Sequence, residues 1–86
     1  MMQRRSDVIW RVVDGNLVGL DMRSSRYFTL NSSAVLLWDL LEHESEPDEL
    51  ADALVREHHI GHYQAKADVE AFIVSLRQNG LLEGEG

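Results

Sequence analysis

The sequence contains no cysteine, which excludes disulfide frameworks, thiolate-bound zinc and cysteine nucleophiles, and leaves the chain able to fold in a reducing compartment. Basic residues are scarce: 8 Lys and Arg stand against 15 Asp and Glu, for a formal net charge of -7. A nucleic-acid backbone needs an electropositive footprint, and this composition does not provide one. No apolar run approaches a membrane span, and the one that follows the two arginines of "MMQRRSDVIW" is too short for the core of a secretory signal. The expectation is a cytoplasmic protein with no nucleic-acid or membrane partner. Also missing are a G-x-S-x-G elbow, a phosphate loop and a paired-carboxylate spacing. With 86 residues there is room for a modest core and little room to preorganise an active site inside it, so neither an enzyme nor a cofactor is expected.

What is present is a change of period partway along the chain. "DVIWRVV" and "NLVGLDM" are rich in strand formers, and "DGN" between them is a hairpin signal. Reading Asp14-Gly15-Asn16 as a three-residue loop puts Trp10 and Val12 on the same face as Val18 and Leu20, whereas a two-residue loop sets Arg11 against those apolar residues. The chain turns at "RSS" into "RYFTL", where alternation sends Phe28 and Leu30 to one side and Tyr27 and Thr29 to the other. Beyond Asn31 the period becomes 3.6. Val35, Leu37, Trp38 and Leu41 form one stripe, and Asn31, Ser32 and Ser33 offer capping oxygens, which predicts a helix from about Ser32 to Glu42. "EHESEPDEL" breaks it, with Ser45 as a cap and Pro47 in the first turn of a second helix that carries Leu50, Leu54 and Val55 to about His58. A third helix begins near Gln64, places Val69, Phe72, Ile73 and Leu76 at i, i+3, i+4, i+7, and stops at Asn79-Gly80. Leu81 and Leu82 should pack back against it.

Strands followed by helices predict an α+β fold in which three helices cover one face of a three-stranded antiparallel meander. The chain reads as one domain, 1–86, with loose ends at 1–6 and 83–86. A meander has two edges, and the edge formed by Arg26 to Leu30 carries no proline or lysine to discourage pairing with an extended segment of another chain. The third helix is the natural second wall beside that edge. It presents Asp68, Phe72 and Ser75 on the flank adjoining its core stripe.

Each of these features also has a plainer reading. Trp38, Phe28 and Phe72 sit at core spacing and suit packing better than contact with a ligand. Tyr27, on the face opposite Phe28, is either an ordinary surface aromatic or a groove contact. Asp68 either favours the first turn of its helix or clamps a polar group of a partner. His58, His59 and His62 include an i, i+4 pair of the kind metals use, yet Gly61 interrupts the helix between them and no further ligand accompanies them, so they read as solvated loop residues. The order of elements also fits a winged helix-turn-helix module whose third helix enters a major groove. Charge opposes that, since Lys66, Arg77 and Gln78 are set against Asp68 and Glu70. An edge that pairs with itself, making a structural dimer, is a third alternative.

Three stretches, "YFTLNSSAVLLWDLL", "EPDELADAL" and "DVEAFIVSLRQNGLL", together resemble the PqqD-like family, the RiPP recognition elements. The order and spacing match from about Val13 to Leu82, and the sequence is most similar to the free-standing leader-binding proteins of lasso-peptide biosynthesis. The resemblance implies a non-catalytic protein that binds the leader segment of a ribosomally made precursor peptide and presents it to a leader peptidase or another modifying enzyme. It implies that the leader lies as an added antiparallel strand against "RYFTL", in a groove whose other wall is "AKADVEAFIVSL". "YFTLN" corresponds to the family's edge strand, and Asp68-Val69 with Phe72 to its "DV…F" helix motif. The peptide-binding residues implied are Arg26, Tyr27, Phe28, Thr29 and Leu30 on the strand, and Asp68, Val69, Phe72, Ser75 and Leu76 on the helix. The histidine-rich "HHIGHY" departs from the pattern.

Overall fold

The computed structural model describes residues 2–84 of the chain. Its elements run β1 (Met2–Arg4), β2 (Val8–Val13), β3 (Asn16–Asp21), β4 (Arg26–Leu30), α1 (Ser32–Leu40), α2 (Pro47–His58), α3 (His62–Gln78) and β5 (Leu82–Gly84). Strands β2, β3 and β4 form the expected antiparallel meander, with β3 central, and the helices pack on one of its faces in an α+β arrangement. A second, two-stranded sheet pairs β1 with β5.

The first hairpin corrects the expected register. Asp14 and Gly15 take φ of 53° and 82°, so the connection is a two-residue turn of the primed kind, whose twist suits a hairpin. Val13 therefore opposes Asn16, Arg11 opposes Val18 and Trp10 opposes Gly19. Trp10 and Val12 share the inner face with Leu17 and Gly19, while Arg11 joins Ile9, Val18 and Leu20 on the outer face. An arginine is tolerated there because its methylene stem can lie on apolar surface with its head in water. The second hairpin follows the expected alternation, with Phe28 and Leu30 buried and Tyr27 and Thr29 exposed. Opposite Phe28 stands Gly19, where an added Cβ would fall 2.2 Å from the Phe28 ring. Glycine at that position lets the ring lie flat over the central strand.

Asn31 starts α1 with its side-chain oxygen, which accepts a bond from the Ala34 N–H at 3.1 Å. The cap of α2 is Glu46, not Ser45: the Glu46 N–H donates to the Glu49 carboxylate at 2.8 Å, and Pro47 occupies the first turn. Ser45 is used elsewhere, exchanging backbone bonds with Met2. His59, in the left-handed conformation, ends α2. The helix α3 starts two residues ahead of the expected Gln64, and its stripe of Val69, Phe72, Ile73 and Leu76 is buried as the spacing requires. At the centre of the core Trp38 is fully buried, against Phe28 at a centroid distance of 5.5 Å and edge-on to Trp10 at 6.2 Å.

The expectation of loose ends is overturned for the described residues. Met2 is as deeply buried as Trp38, and β1 is stitched to its surroundings: the Arg4 N–H bonds the Leu41 carbonyl, the Arg4 side chain bonds the Trp38 carbonyl, and the Arg5 N–H bonds the Leu81 carbonyl. The first two satisfy carbonyls at the C-terminal end of α1 that no helical partner can reach. Leu81 does pack back into the core, and Leu82 and Glu83 pair with Arg4 and Gln3. Residues 1, 85 and 86, which fall in the expected loose ends, lie outside the described residues.

Candidate functional site: a groove beside a free strand edge

The pairing of β3 fixes which backbone groups of β4 are free. Residues that flank a two-residue hairpin turn exchange both of their bonds, so Asn16, Val18 and Leu20 direct their N–H and C=O groups toward β2, and Leu17, Gly19 and Asp21 direct theirs toward β4. Their partners Leu30, Phe28 and Arg26 are thereby committed. The N–H and C=O groups of Tyr27 and Thr29 point away from the sheet. This edge runs alongside α3, on the far side of β4 from β3.

A groove of about 230 Å³ opens between β4 and α3. Thr29, Leu30 and Asn31 form its strand side; Asp68, Ala71, Phe72 and Ser75 form its helix side; Ser33, Ala34 and Leu37 of α1 close the bottom. A cleft between α2 and α3, lined by Ala51, Val69 and Ile73 among others, is larger at about 320 Å³. Size does not decide between them. Of these two, the β4–α3 groove is the one with unpaired strand groups along a wall, and those are what an extended peptide requires.

The residues expected to bind separate into distinct roles. Thr29, Leu30, Asp68, Phe72 and Ser75 are brought together around the groove. Tyr27 is 77% exposed, with its side chain on the outer face of the sheet, away from the helices; its contribution to the edge is its backbone. Arg26 begins the strand and is exposed, with its backbone bonded to Asp21. Phe28 lies inward against Trp38. Val69 and Leu76 are buried in the core, at 2% and 0% exposure, so in this structure they support the groove from behind and do not line it. Asn31, Ser33, Ala34, Leu37 and Ala71 line it without having been singled out. Ala71 was legible: Asp68, Ala71, Phe72 and Ser75 are themselves spaced i, i+3, i+4, i+7, a second stripe beside the core stripe.

The groove is polar along its rim and apolar at its floor, and none of its lining residues is basic. The Asp68 carboxylate accepts a bond from the Gln64 side chain at 2.8 Å, which holds it at the surface over one end of the groove. Such a rim receives hydrogen-bond donors, and the floor formed by Phe72, Leu37 and Ala34 receives small apolar groups. His58, His59 and His62 lie away from it, at the α2–α3 turn, with His62 Nδ1 at 4.0 Å from Asp52. Among the described residues there is no cluster of three ligands arranged for a metal, and no helix is long and apolar enough to cross a membrane.

No curated protein is similar enough to this chain to count as a relative. Among solved structures, TbiB1 in complex with the TbiA(beta) leader peptide is similar over 98% of this chain and 98% of its own, with a TM-score of 0.82 and 27% sequence identity. Lasso peptide synthetase B1 complexed with the leader peptide is similar over 96% of this chain and 98% of its own, with a TM-score of 0.78 and 29% identity. Residues 16–82, from β3 through the first residue of β5, match the family model described as coenzyme PQQ synthesis protein D, and the chain belongs to this PqqD family as one of its RiPP recognition elements.

Proposed function

We propose that this protein recognises the leader segment of a ribosomally synthesised precursor peptide, of the lasso-peptide class, by taking it up as an added strand on β4, and that it hands the bound precursor to a processing enzyme such as a leader peptidase. The observation that carries the reading is the free backbone edge at Tyr27 and Thr29 facing α3 across an open groove. Backbone bonds at that edge give affinity with little dependence on sequence, and the groove floor and the Asp68 rim select side chains. Thr29, Leu30, Asp68, Phe72 and Ser75 contact the peptide. The two similar structures, each a complex with a leader peptide, support the same use of the fold. The protein performs no chemistry of its own and works in the cytoplasm, where precursor peptides are made.

Titration calorimetry with the cognate leader, together with amide hydrogen exchange, tests this. Leader addition should slow exchange at Tyr27 and Thr29, whose N–H groups point outward, and leave Arg26, Phe28 and Leu30, already bonded to β3, nearly unchanged. Protection that appears on β2 instead would move the site to the other edge. Cleavage or cyclisation of a precursor by the protein alone, seen by mass spectrometry, would overturn the non-catalytic reading.

A further inference from the structure

The groove has two walls that do not hold each other. The backbones of β4 and α3 scarcely approach, and what separates them is bridged below by Phe72, Leu30 and Leu37. A spacing set by apolar contacts alone has some latitude, since side chains of this kind repack at modest cost. An added strand needs a defined spacing, because backbone hydrogen bonds weaken steeply away from their preferred distance and angle.

One residue spans the two walls at their common end. The Arg5 side chain is 4% exposed, and all five of its N–H donors are engaged. Nε donates to Asp7 at 2.9 Å and one terminal nitrogen donates to Asp7 at 2.9 Å and to Asp21 at 2.8 Å. The other donates to Asp21 at 3.0 Å and to the Gly80 carbonyl at 2.9 Å. Gly80 lies just beyond the last residue of α3, and Asp21 is the pairing partner of Arg26, the first residue of β4. The guanidinium thus joins the end of the helical wall to the base of the strand wall. Its planar fork fixes angle as well as distance, which a lysine cannot do. Each carboxylate takes two of its bonds, and the Arg23 N–H donates a further one to Asp21 at 2.9 Å, so the hairpin base is held on the same point.

We propose that Arg5 is a positioning residue for the leader groove: by clasping Gly80 and Asp21 together it sets the separation of α3 and β4 into which the leader strand fits. The inference rests on the leader-binding reading and adds a residue that touches no part of the leader. Two measurements separate its failure from the failure of that reading. In the cysteine-free chain, spin labels at Met22→Cys and Gln78→Cys, both exposed and outside the groove, report the distance across the clasp without any leader. Titration with the cognate leader reports affinity.

In Arg5→Lys, which keeps the charge and loses the fork, the distance distribution should broaden relative to the parent, and the leader Kd should rise at least tenfold under conditions where circular dichroism shows both proteins folded. If Arg5→Lys does not fold, Asp21→Asn, which retains Arg5 with its bonds to Asp7 and Gly80, carries the same comparison. A lowered melting temperature with Kd within twofold of the parent overturns the proposal and leaves Arg5 a structural residue. Lost affinity with an unchanged distance overturns it as well, since Arg5 would then act by another route. If the parent protein binds no leader, the functional reading fails on that ground, and the clasp is judged on the distance alone: broadening upholds it, no change ends it.

Discussion

Just past its C-terminal end α3 is tied to the N-terminal segment by hydrogen bonds at Gly80 and Leu81, while along its flank it meets β4 only through apolar side chains at the floor of the groove. The two regions differ in chemistry as well as in density. At the clasped end, the Arg5 side chain donates to Asp7, Asp21 and the Gly80 carbonyl, and its backbone N–H donates to the Leu81 carbonyl. At the groove, the outward N–H and C=O groups of Tyr27 and Thr29 have no partner in the sheet, and the rim groups Asn31 and Asp68 take local bonds, from Ala34 and Gln64. A buried polar group left without a partner is costly, so the protein spends its own partners where the chain must stay closed and withholds them where it must stay open. Separating those two demands in space lets a small domain be both rigid and receptive.

The largest effect should come from the core behind both regions. Trp38→Ala removes the side chain that joins Phe28, Trp10 and Arg4, and by the usual cost of such truncations it should lower unfolding free energy by about 3–5 kcal/mol in urea titration. Trp38→Phe should cost less, because it also removes an indole N–H that has no hydrogen-bond partner among the described residues. Groove substitutions should do the reverse, sparing stability and removing binding. Ser75→Arg or Asp68→Arg places a bulky cation in the groove and should weaken leader binding tenfold or more, about 1.4 kcal/mol, with a melting temperature close to the parent's. An equal fall in melting temperature would show that the groove is part of the core after all.

A smaller change tests the edge itself. Thr29→Pro removes an N–H that points out of the sheet, a place where strands tolerate proline, so the fold should survive and leader binding should weaken by one backbone bond, about 0.5–1.5 kcal/mol, read by calorimetry. The smallest effect is the acid response of the clasp. Hydrogen bonds from Arg5 hold the Asp7 and Asp21 carboxyls below the usual carboxylate range. In the unfolded chain they take up protons near their ordinary value, about 3.9. The stability they contribute is therefore complete above about pH 5 and is lost as the pH falls toward their lower folded-state values. Asp21→Asn should be less stable than the parent at neutral pH and should lose less on acidification from pH 5 to pH 2, measured by urea unfolding at a series of pH values. Parallel curves would mean that the Arg5–Asp21 pair is not what holds this end.

The legible part of the fold was the part written in local pattern. The i, i+3, i+4, i+7 stripe of α3 and the alternation of Phe28 and Leu30 with Tyr27 and Thr29 depend on the period of one element, and both are as expected. The register of the first hairpin was misread because Arg11 opposite Val18 looks unfavourable until the φ values of Asp14 and Gly15 are known. The β1–β5 sheet could not be read at all. "MQR" and "LEG" are three residues each, with no alternation to detect, and they pair across nearly the whole chain. In the site, Thr29, Asp68 and Ser75 follow from an unprotected edge and a helical flank. Val69 and Leu76 are hard to tell from the groove-lining residues in the sequence, because adjacent stripes on one helix differ by a single position and burial alone places these two behind the groove. Arg5 gave no local sign of its role, since its partners at 21 and 80 are brought to it only by the folded chain.

The meeting of β1 with β5 has a consequence for the order in which the molecule is made. Closing a loop costs entropy that grows with its length, and contacts between distant segments are slow to form. The hairpins and the α2–α3 pair draw on neighbouring residues and can form early, whereas the pairing of Arg4 with Leu82 and the bond from Arg5 to Gly80 wait for two distant segments to meet. A chain in which residues 80–84 have not yet docked therefore has its hairpins and helices formed but lacks the bond from Arg5 to Gly80, so closure of this end should be a late step of folding.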